Sequence, residues 1–375
     1  MKLSRLVSCL VVALLFGVTQ AVYAAVDPAA AVVKVRKTCT ENGITLENFF
    51  DSIASLTGWM ASIRKPNAAS PLRVEIGPGK FLEDVYVSCN VANNYTGYTS
   101  FDGAGSSQTI INGFGSGNSA PLNVSSCTEM NFSHLKITTR FYGGVHWDGG
   151  GNSRWTDVQV VGTARAWYEE TCGATPGSHY WMGSKLTATA AFSIAETYRA
   201  TCDESWFFGS EVTVSVPANA YPASGGAVTA FDKGMIHVYG SVLRTLTDGP
   251  TQGTGVAAAA VSGGEIHIHG TGIDAISTTG RNVVAVYAAN GGQLHANETA
   301  YNLNTTGSKT RVVNNGGHVH APYLWEGHPE APSVTSVNGA DMAVVTNTAD
   351  GQPHMVIYSS TCASSWFDTV TRACR

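Results

Sequence analysis

Four histidines recur at a regular spacing in the second half of this 375-residue chain, each at the end of a similar five-residue phrase. They are His237, His267, His295 and His320, and successive members are 30, 28 and 25 residues apart. An imidazole can ligate a transition metal, exchange a proton near neutral pH or hydrogen-bond to a hydroxyl group. The residue type therefore permits several kinds of chemistry, and the spacing decides whether the four side chains can act together.

Metal binding is one interpretation of these phrases. Polar and apolar residues alternate within each phrase, which places the histidines on the outward face of successive strands. Strands of one sheet lie about 4.8 Å apart, so neighbouring strands can share an ion. The predicted ligands, for calcium or a transition metal and with no cofactor required, are Glu265, His267, His269, His295 and His320. A solvated stack of side chains and a sugar-binding face are the alternatives, and the pattern favours the stack.

A second group of candidate residues lies between positions 140 and 204, where aromatic and charged side chains are mixed with glycines. Aromatic rings stack on sugar rings, arginine pairs with uronate carboxylates, and polysaccharide lyases and hydrolases need a base or paired carboxylates. The predicted substrate-binding residues are Tyr142, Trp147, Trp155, Trp167 and Tyr168. The predicted catalytic residues are Arg140, His146, Asp148, Arg165, Asp203 and Glu204. The alternative is an aromatic-rich loop that packs against the body of the protein.

The recurrence of the histidine phrases also predicts the elements that position them. Self-similarity at a period of about 25–30 residues indicates stacked supersecondary units. Short alternating runs and 41 glycines favour strands over helices within each unit. We align Thr187 and Thr213 with the histidines, as their counterparts in earlier units. The prediction is an all-β fold, a right-handed parallel β-helix of about ten coils over residues 67–338.

The two ends of the chain differ from this repeat. Apolar residues from Phe49 to Ile63 follow helical spacing, with Thr45 as the predicted N-cap. The open end of a β-helix must be covered, and residues 25–66 are predicted to form that N-terminal cap. Residues 339–375 are predicted to form a C-terminal cap or tail.

Residues 1–24 have the features of a signal peptide. Lys2 and Arg5 precede a short apolar run, and Val22-Tyr23-Ala24 supplies small residues at the cleavage position. We therefore expect a secreted, periplasmic or cell-surface protein. The apolar run is too short to span a bilayer, so no membrane span is expected. A formal charge of −5 with 13 % charged residues leaves no electrostatic footprint for nucleic acid.

The cysteines of an exported chain are candidates for disulfides. The predicted pairs are Cys172 with Cys202, about one repeat apart, and Cys362 with Cys374 near the C-terminus. Three further cysteines remain without an assigned partner, namely Cys39, Cys89 and Cys127. No cysteine or histidine spacing matches that of a zinc motif.

Three phrases between residues 45 and 113 resemble the opening of pectinesterases and related proteins of the pectin-lyase fold. They are the helix from Thr45, the strand at 72–76 with the phrase at 79–85, and the turn at 103–105 with the phrase at 109–113. The second matches the family's G-x-[FY]-x-E-x-V phrase and the third its T-x-I-x-G phrase. The resemblance covers about a fifth of the chain. It implies a parallel β-helix and a polysaccharide as the partner.

The catalytic phrases of pectinesterases, QAVAL, QDTL, DFIFG and GRPW, carry two aspartates, an arginine and oxyanion-stabilising glutamines. In this chain the corresponding stretches are 165–168 and 203–209, and the second is similar to DFIFG, with Asp203 or Glu204 as the acid. The glutamine phrases and GRPW have no counterpart, although a carboxylate nucleophile needs its oxyanion donors beside it. The sequence therefore favours non-catalytic binding of an extracellular or cell-wall polysaccharide. A polysaccharide lyase or carbohydrate esterase, and a surface adhesin or structural protein, are the alternatives.

Overall fold

The computed structural model describes most of the chain from residue 32 onwards. The described residues are 32–36, 40–41, 44–45, 49–50, 52–60, 66–69, 71–89, 97–113, 120–139, 142–169, 176–189, 196–216, 226–247, 254–297, 299–320, 342–346, 353–358, 366–368 and 372–374. The predicted signal peptide lies outside these residues, as do Arg140, Cys39, Cys172 and Cys362.

Three parallel sheets run side by side along the described chain, and the strands of each sheet stack in the following orders. Sheet 1 contains β4 (Phe49–Phe50), β1 (Val32–Val35), β5 (Leu72–Ile76), β8 (Thr99–Gly103), β11 (Glu129–Ser133), β14 (Asn152–Thr156), β17 (Ser178–Met182), β20 (Glu204–Phe208), β23 (Met235–Tyr239), β26 (Glu265–His269), β29 (Gln293–Asn297) and β32 (His318–His320). Sheet 2 contains β6 (Gly79–Phe81), β9 (Thr109–Gly113), β12 (Lys136–Thr139), β15 (Gln159–Gly162), β18 (Lys185–Ala188), β21 (Glu211–Val216), β24 (Val242–Thr247), β27 (Gly272–Ile276) and β30 (Ala300–Asn304). Sheet 3 contains β7 (Val85–Ser88), β10 (Leu122–Ser125), β13 (Gly143–Asp148), β16 (Arg165–Glu169), β19 (Tyr198–Ala200), β22 (Val228–Phe231), β25 (Thr254–Val261), β28 (Asn282–Ala289) and β31 (Lys309–Asn315).

The chain visits the three sheets in a fixed order, which makes the fold a parallel β-helix, as predicted. From β5 to β29 each strand of sheet 1 is followed by one of sheet 2 and one of sheet 3, and the set of three then repeats. Strands that are three apart pair in parallel and in register, so that Tyr239 of β23 lies beside His269 of β26. Nine such sets are described, from β5–β7 to β29–β31. The predicted number of about ten coils stays a prediction, because the chain is described only in part.

The N-terminal region was predicted to be helical from Thr45, and this boundary is wrong. Thr45 lies in the antiparallel hairpin of β2 (Thr40–Glu41) and β3 (Ile44–Thr45), and Phe49–Phe50 pairs in parallel with β1 at the edge of sheet 1. An open sheet edge offers unpaired backbone groups, which explains why this apolar pair is extended. The helix α1 spans Ile53–Met60. Whether it covers the end of the core stays a prediction.

A carboxylate from the phrase at 79–85 binds the N-terminus of helix α1. Glu83 accepts hydrogen bonds from the backbone N–H groups of Ile53 and Ala54, at 2.9 and 3.1 Å. Free N–H groups and the helix dipole both favour a negative charge at this position. Ile53 and Leu56 are buried in the main core. No helix among the described residues is long and apolar enough to cross a membrane.

The turn that connects sheet 1 to sheet 2 explains one of the recurring phrases of the sequence, a glycine followed by serine or threonine. Its glycines have φ between +53° and +56°, where a side chain is unfavourable, and a hydroxyl residue follows each of them: Gly183-Ser184, Gly209-Ser210, Gly240-Ser241 and Gly270-Thr271. Ser210 Oγ donates to the carbonyl oxygen of Trp181 and accepts from the N–H of Ser184, at 3.2 Å each. Thr187 and Thr213 follow this turn and lie on sheet 2. Their predicted alignment with the histidines is therefore wrong, because the two phrases belong to different corners of the coil.

The glycines of the histidine phrases serve another corner, between sheets 3 and 1. A Cβ on Gly234, Gly264 or Gly292 would lie 2.2–2.4 Å from the backbone of the preceding coil. Such an approach is too close for any side chain, so these positions need glycine. This corner recurs in each of these coils. The strand that follows it carries the histidine and lies in sheet 1.

The core between the sheets contains a stack of aromatic rings. Phe132, Trp155 and Trp181 follow one another on sheet 1, with ring centroids 4.2 and 4.7 Å apart. Towards the other end of the same sheet the inward row becomes aliphatic, as at Val238 and Ile268. Because equivalent positions stack in register, one large ring favours another of similar shape on the next strand.

Three of the described cysteines are buried and disulfide-bonded. Cys89 and Cys127, two of the cysteines without an assigned partner, are joined to each other across 38 residues of sequence. Cys202 is also disulfide-bonded. Its predicted partner lies outside the described residues, so that pairing and the predicted pair at 362 and 374 stay predictions.

Near the C-terminus the parallel repeat gives way to a separate antiparallel sheet. It contains β33 (Met342–Thr346), β34 (Pro353–Tyr358), β35 (Trp366–Asp368) and β36 (Ala373–Cys374). The change of sheet type lies within the region predicted as a C-terminal cap or tail. The exact domain boundaries stay predictions.

Candidate functional site

The outward face of sheet 1 brings the four histidines into one row. The strand register places the following residues side by side on six consecutive strands, β17 to β32: Tyr180, Trp206, His237, His267, His295 and His320. We call this set the aromatic–histidine row. The described neighbours of each member along its strand are buried, and the member's own side chain is partly or fully exposed. The predicted outward orientation of the histidines is confirmed.

The rings of the aromatic–histidine row are stacked face to face. Trp206 and His237 have centroids 3.9 Å apart, and the centroids of His267 lie 5.0 Å from His237 and 4.9 Å from His295. The planes of these pairs differ by only 10–12°. His320 is tilted by 43° from its neighbour and ends the regular stack. Stacking covers the ring faces, so the ring edges, with their nitrogen atoms, are what the row can present to a ligand.

Two carboxylates flank the row and hold imidazoles in place. His237 Nε2 lies 2.9 Å from Glu204 Oε1, and His267 Nε2 lies 2.6 Å from Glu265 Oε1. Burial and the neighbouring His267 lower the pKa of His237, although Glu204 acts in the opposite direction. Burial and His267 also lower the pKa of His295. Near neutral pH both imidazoles are therefore uncharged.

A second outward row runs beside the first and is more apolar. Its members are Met182, Phe208, Tyr239, His269 and Asn297, in register on β17 to β29. Met182 and Phe208 are 38 % and 39 % exposed, which is unusual for large apolar side chains. The rings of Phe208, Tyr239 and His269 are nearly parallel, at 5.5 and 5.1 Å. The two rows together form a flat aromatic surface.

The spacing of the aromatic–histidine row does not suit a shared metal ion. Two ligands on one ion, each bound at about 2.1 Å, lie at most about 4.2 Å apart. Stacking keeps equivalent atoms of His267 and His295 about one strand spacing apart, near the 4.9 Å between their centroids. Among the described residues, one group of three side chains has its ligand atoms within 4.8 Å of one another, and it is not in this row. Metal binding by Glu265 and His269 with the row stays a prediction without geometric support.

The predicted catalytic residues are distributed over different faces of the coil. His146 and Arg165 lie on sheet 3 and both contact Tyr168, the first by stacking at 4.5 Å and the second through its guanidinium at 5.8 Å. Arg165 is also paired with the carboxylate of Glu196. Asp148 lies in the same strand as His146. Glu204 is on the outward face of sheet 1, and Arg140 lies outside the described residues. The described members therefore do not meet in one cleft.

The predicted substrate-binding tryptophans need correction. Trp147, Trp155 and Trp167 are 1 % exposed or less and lie in the core. A polysaccharide on the surface cannot reach them, so their role is packing. Tyr168 is 4 % exposed, and Tyr142 contacts it edge-on at 5.8 Å. The alternation of β14 explains the error, because Trp155 faces inward while its charged neighbour Arg154 faces outward.

A buried cluster of polar side chains lies among these tryptophans. Of its three members, only Asp203 was among the predicted site residues. Glu169, His179 and Asp203 are all buried, and their ligand atoms lie within 4.8 Å of one another. His179 Nε2 is 3.1 Å from Asp203 Oδ2 and 3.7 Å from Glu169 Oε1. Burial raises the pKa of Glu169, although the nearby His179 opposes this. Buried and exposed residues alternate along Ser178–Met182, and this alternation places His179 on the inward face together with Trp181. The same pattern in the sequence could have indicated a buried histidine.

Comparisons with known proteins return structural similarity alone. No protein-family model matches the chain, and no curated protein matches it. Among solved structures it is similar to a pectin methylesterase mutant in complex with a hexasaccharide, at TM-score 0.43 and 11 % identity over 72 % of this chain and 80 % of that one. It is also similar to a deglycosylated pectin methylesterase from Aspergillus niger, at TM-score 0.36 and 12 % identity over 83 % and 91 %. Similarity at this level does not assign an activity or a ligand.

Proposed function

We propose that the outward face of sheet 1 binds a neutral extracellular polysaccharide and does not alter it chemically. The observation that carries this proposal is the unbroken register of the aromatic–histidine row over six consecutive strands. At about 4.8 Å per strand the row extends over about 24 Å, which suits an extended chain rather than a single small molecule.

The chemistry of the row is hydrogen bonding from ring edges. Each imidazole edge offers one donor or one acceptor, or both, and the Tyr180 hydroxyl offers both. A sugar chain presents hydroxyl groups of matching character along its length. The exposed Phe208 and Met182 beside the row can contact the apolar faces of sugar rings. An extended sugar chain therefore finds polar and apolar contacts side by side on this surface.

The charge of this face favours a neutral glycan over a uronate. Glu204 and Glu265 lie against the row, while burial and the nearby His267 lower the pKa of His237 and His295. At neutral pH the imidazoles of His237 and His295 therefore add no positive charge to this part of the surface, and the two carboxylates make it negative. A polyuronate would be repelled by the carboxylates, although the repulsion is weakened by salt.

The absence of catalysis is supported by the distribution of the predicted catalytic residues. A lyase or an esterase needs its base or nucleophile and its charge-stabilising groups around one reacting atom. His146 and Arg165 are on sheet 3, Glu204 is on sheet 1, and Asp203 is buried. A polysaccharide-active enzyme is therefore the alternative that a product assay must exclude.

The test is affinity electrophoresis of the folded protein in gels that contain neutral polysaccharides or polygalacturonate. We expect retardation by at least one neutral glycan and weaker retardation by polygalacturonate. Trp206→Ala and His267→Ala should each weaken binding by about tenfold, since each removes a member from the middle of the row. Lys185→Ala on sheet 2, whose side chain is 52 % exposed, is the matched control and should bind normally.

Each outcome of this experiment decides between the alternatives. Release of new reducing ends, unsaturated products or methanol from any of the glycans would replace the proposal with an enzyme. Folded protein that binds none of them would favour an adhesin or a structural protein. Equal loss of binding in the sheet 2 control would show that the aromatic–histidine row is not the binding surface.

A further inference from the structure

The buried cluster of Glu169, His179 and Asp203 is built as a site rather than as a simple ion pair. It lies inside the coil, between β16 of sheet 3 and β17 of sheet 1, where large aromatic rings such as Trp147 and Trp167 occupy neighbouring inward positions. Trp147 and Trp167 both contact His179 edge-on, with centroids 4.9 Å from the imidazole. Polar groups in such surroundings need partners for every buried atom.

One oxygen of each carboxylate is anchored by the backbone. Glu169 Oε2 accepts the N–H groups of Thr201, Cys202 and Asp203, at 2.8, 3.3 and 3.4 Å. Asp203 Oδ1 accepts the N–H of Gly177 at 2.8 Å. The second oxygen of each carboxylate is thereby directed to the same imidazole nitrogen, His179 Nε2.

The second oxygen of Glu169 has no hydrogen-bond partner among the described residues, although the side chain is 3 % exposed. It lies 3.7 Å from His179 Nε2, beyond hydrogen-bonding distance, while Asp203 Oδ2 lies 3.1 Å from the same nitrogen. A proton on Nε2 therefore supplies a hydrogen bond to Asp203 Oδ2 and leaves Glu169 Oε1 without a hydrogen-bond donor. A cation between the three atoms would satisfy all of them.

The distances match those expected around a small metal ion. Four ligands arranged tetrahedrally at about 2.1 Å from an ion lie about 3.4 Å from one another. The two measured separations, 3.1 and 3.7 Å, fall on either side of this value. The aromatic–histidine row, with centroids about one strand spacing apart, does not reach it.

We propose that Glu169 Oε1, His179 Nε2 and Asp203 Oδ2 form a buried structural site for a divalent first-row transition metal ion, with zinc as the expected occupant. One imidazole and two carboxylates are a donor set that such ions accept. Two carboxylates and a neutral imidazole carry two negative charges, which the ion balances. Without the ion, these two negative charges would be buried with no positive charge beside them.

The surroundings of His179 agree with its use as a metal ligand. A ligating histidine donates its other ring N–H to a neighbouring acceptor, which fixes the ring. In this cluster Nδ1 lies 2.7 Å from Ser153 Oγ, and Ser153 Oγ also accepts the indole N–H of Trp155 at 2.7 Å. With Nδ1 as the donor, the unprotonated Nε2 faces Glu169 and Asp203.

Burial makes the role of the ion structural. The site joins sheet 3, through Glu169, to the corner before β20, through Asp203, and to sheet 1, through His179. Substrate cannot reach it, and the ion has to enter as the coil forms or opens. The site is independent of the proposed glycan surface, which lies on the outside of sheet 1.

The test uses the full folded chain and zinc alone as the probe. The protein is unfolded with a chelator and refolded with or without zinc, and then dialysed. Bound metal is measured by mass spectrometry and the thermal midpoint by circular dichroism. We expect about one zinc per chain and a higher midpoint in the zinc-refolded sample. Glu169→Gln with Asp203→Asn should lower zinc occupancy by about tenfold or more, while His267→Ala with His295→Ala should leave it unchanged.

A spectroscopic measurement on the unaltered protein keeps the proposal testable if the double variant does not fold. Zinc-edge X-ray absorption should show only nitrogen and oxygen ligands, with scattering from one imidazole. A sulfur ligand, or two or more imidazoles, would place the metal elsewhere and overturn the proposal. It is also overturned if natively folded protein retains no zinc, or if the histidine-row variant loses the zinc in place of the buried-site variant.

Discussion

His237 Nε2 lies 2.9 Å from Glu204 Oε1, a carboxylate on the neighbouring strand of sheet 1. On its other side His237 stacks on His267, so that protonation of both rings would place two positive charges 5.0 Å apart. Glu204 favours the protonated form of His237, whereas burial and His267 disfavour it, and the net result is a lowered pKa. Within the histidine stack, His237 is therefore favoured in its neutral form.

The first prediction concerns pH. His237 and His295 have pKa values lowered by burial and by His267, whereas in the unfolded chain each titrates near its ordinary value of about 6.5. Between the folded and unfolded values the unfolded state binds more protons, so stability falls as the pH falls from about 7.5 through about 6.5. Thermal midpoints measured from pH 7.5 to 5.5 should show this decrease.

The control for this prediction is the removal of the titrating groups. His237→Gln with His295→Gln should flatten the pH dependence, even if it lowers the midpoint at all pH values. Raised salt should weaken the part that arises from repulsion between protonated rings. A midpoint that is unchanged between pH 7.5 and 5.5 in the unaltered protein would contradict the lowered pKa values.

The second prediction concerns the N-terminus of α1. Glu83→Ala removes the acceptor of the Ile53 and Ala54 N–H groups and should lower the free energy of unfolding by about 1 kcal/mol. Denaturant unfolding followed by circular dichroism measures the change. Leu82→Ala is a suitable control, because this neighbour is 58 % exposed and should change little. Equal effects of the two substitutions would contradict the capping role.

The third prediction contrasts two tryptophans on opposite faces of sheet 1. Trp155 is buried and stacked in the core, so Trp155→Ala should cost about 3–5 kcal/mol or prevent folding. Trp206 points outward, and Trp206→Ala should cost about 1 kcal/mol or less. Chemical denaturation compares the two directly. A large loss of stability at Trp206 would mean that its effect on glycan binding cannot be separated from folding.

The fourth prediction concerns the disulfide between Cys89 and Cys127. It closes 38 residues of sequence, and the chain-entropy relation gives about 4 kcal/mol of stabilisation for such a loop. Cys89→Ser, Cys127→Ser and the double substitution should lower the free energy of unfolding by similar amounts, since each breaks the same bond. Additive losses in the double variant would show that the two cysteines stabilise the protein independently of each other.

Local sequence pattern was sufficient to predict the parallel β-helix and the outward histidines. Alternation sets which side chains share a face of a strand, and this decides the orientation of His267 and His295 without any knowledge of distant contacts. The recurring glycines at 234, 264 and 292 mark a corner where the backbone of the preceding coil is too close for a side chain. Both signals act within a few residues, so they are visible in the chain itself.

The sequence pattern gave a wrong alignment where two different corners of the coil have similar sequences. Thr187 and Thr213 follow a glycine and a polar residue, as the histidine phrases do, yet they lie on sheet 2. The continuation of the histidine row is Trp206 and Tyr180, because coil length changes from turn to turn and only strand pairing sets the register. The start of α1 was misplaced for a similar reason, since Phe49–Phe50 pairs with a sheet edge that the local sequence does not show.

The sequence by itself determined the repeat, the strand-rich composition and the outward face on which the histidines lie, because these follow from steric preferences and alternation over a few residues. Only the tertiary structure decided that the rings of that face are stacked edge outward, and that the tryptophans at 147, 155 and 167 are core residues. It also brought Glu169, His179 and Asp203 together from two sheets and a corner. Contacts between residues far apart in sequence depend on how successive coils are stacked, and that register is a property of the whole fold.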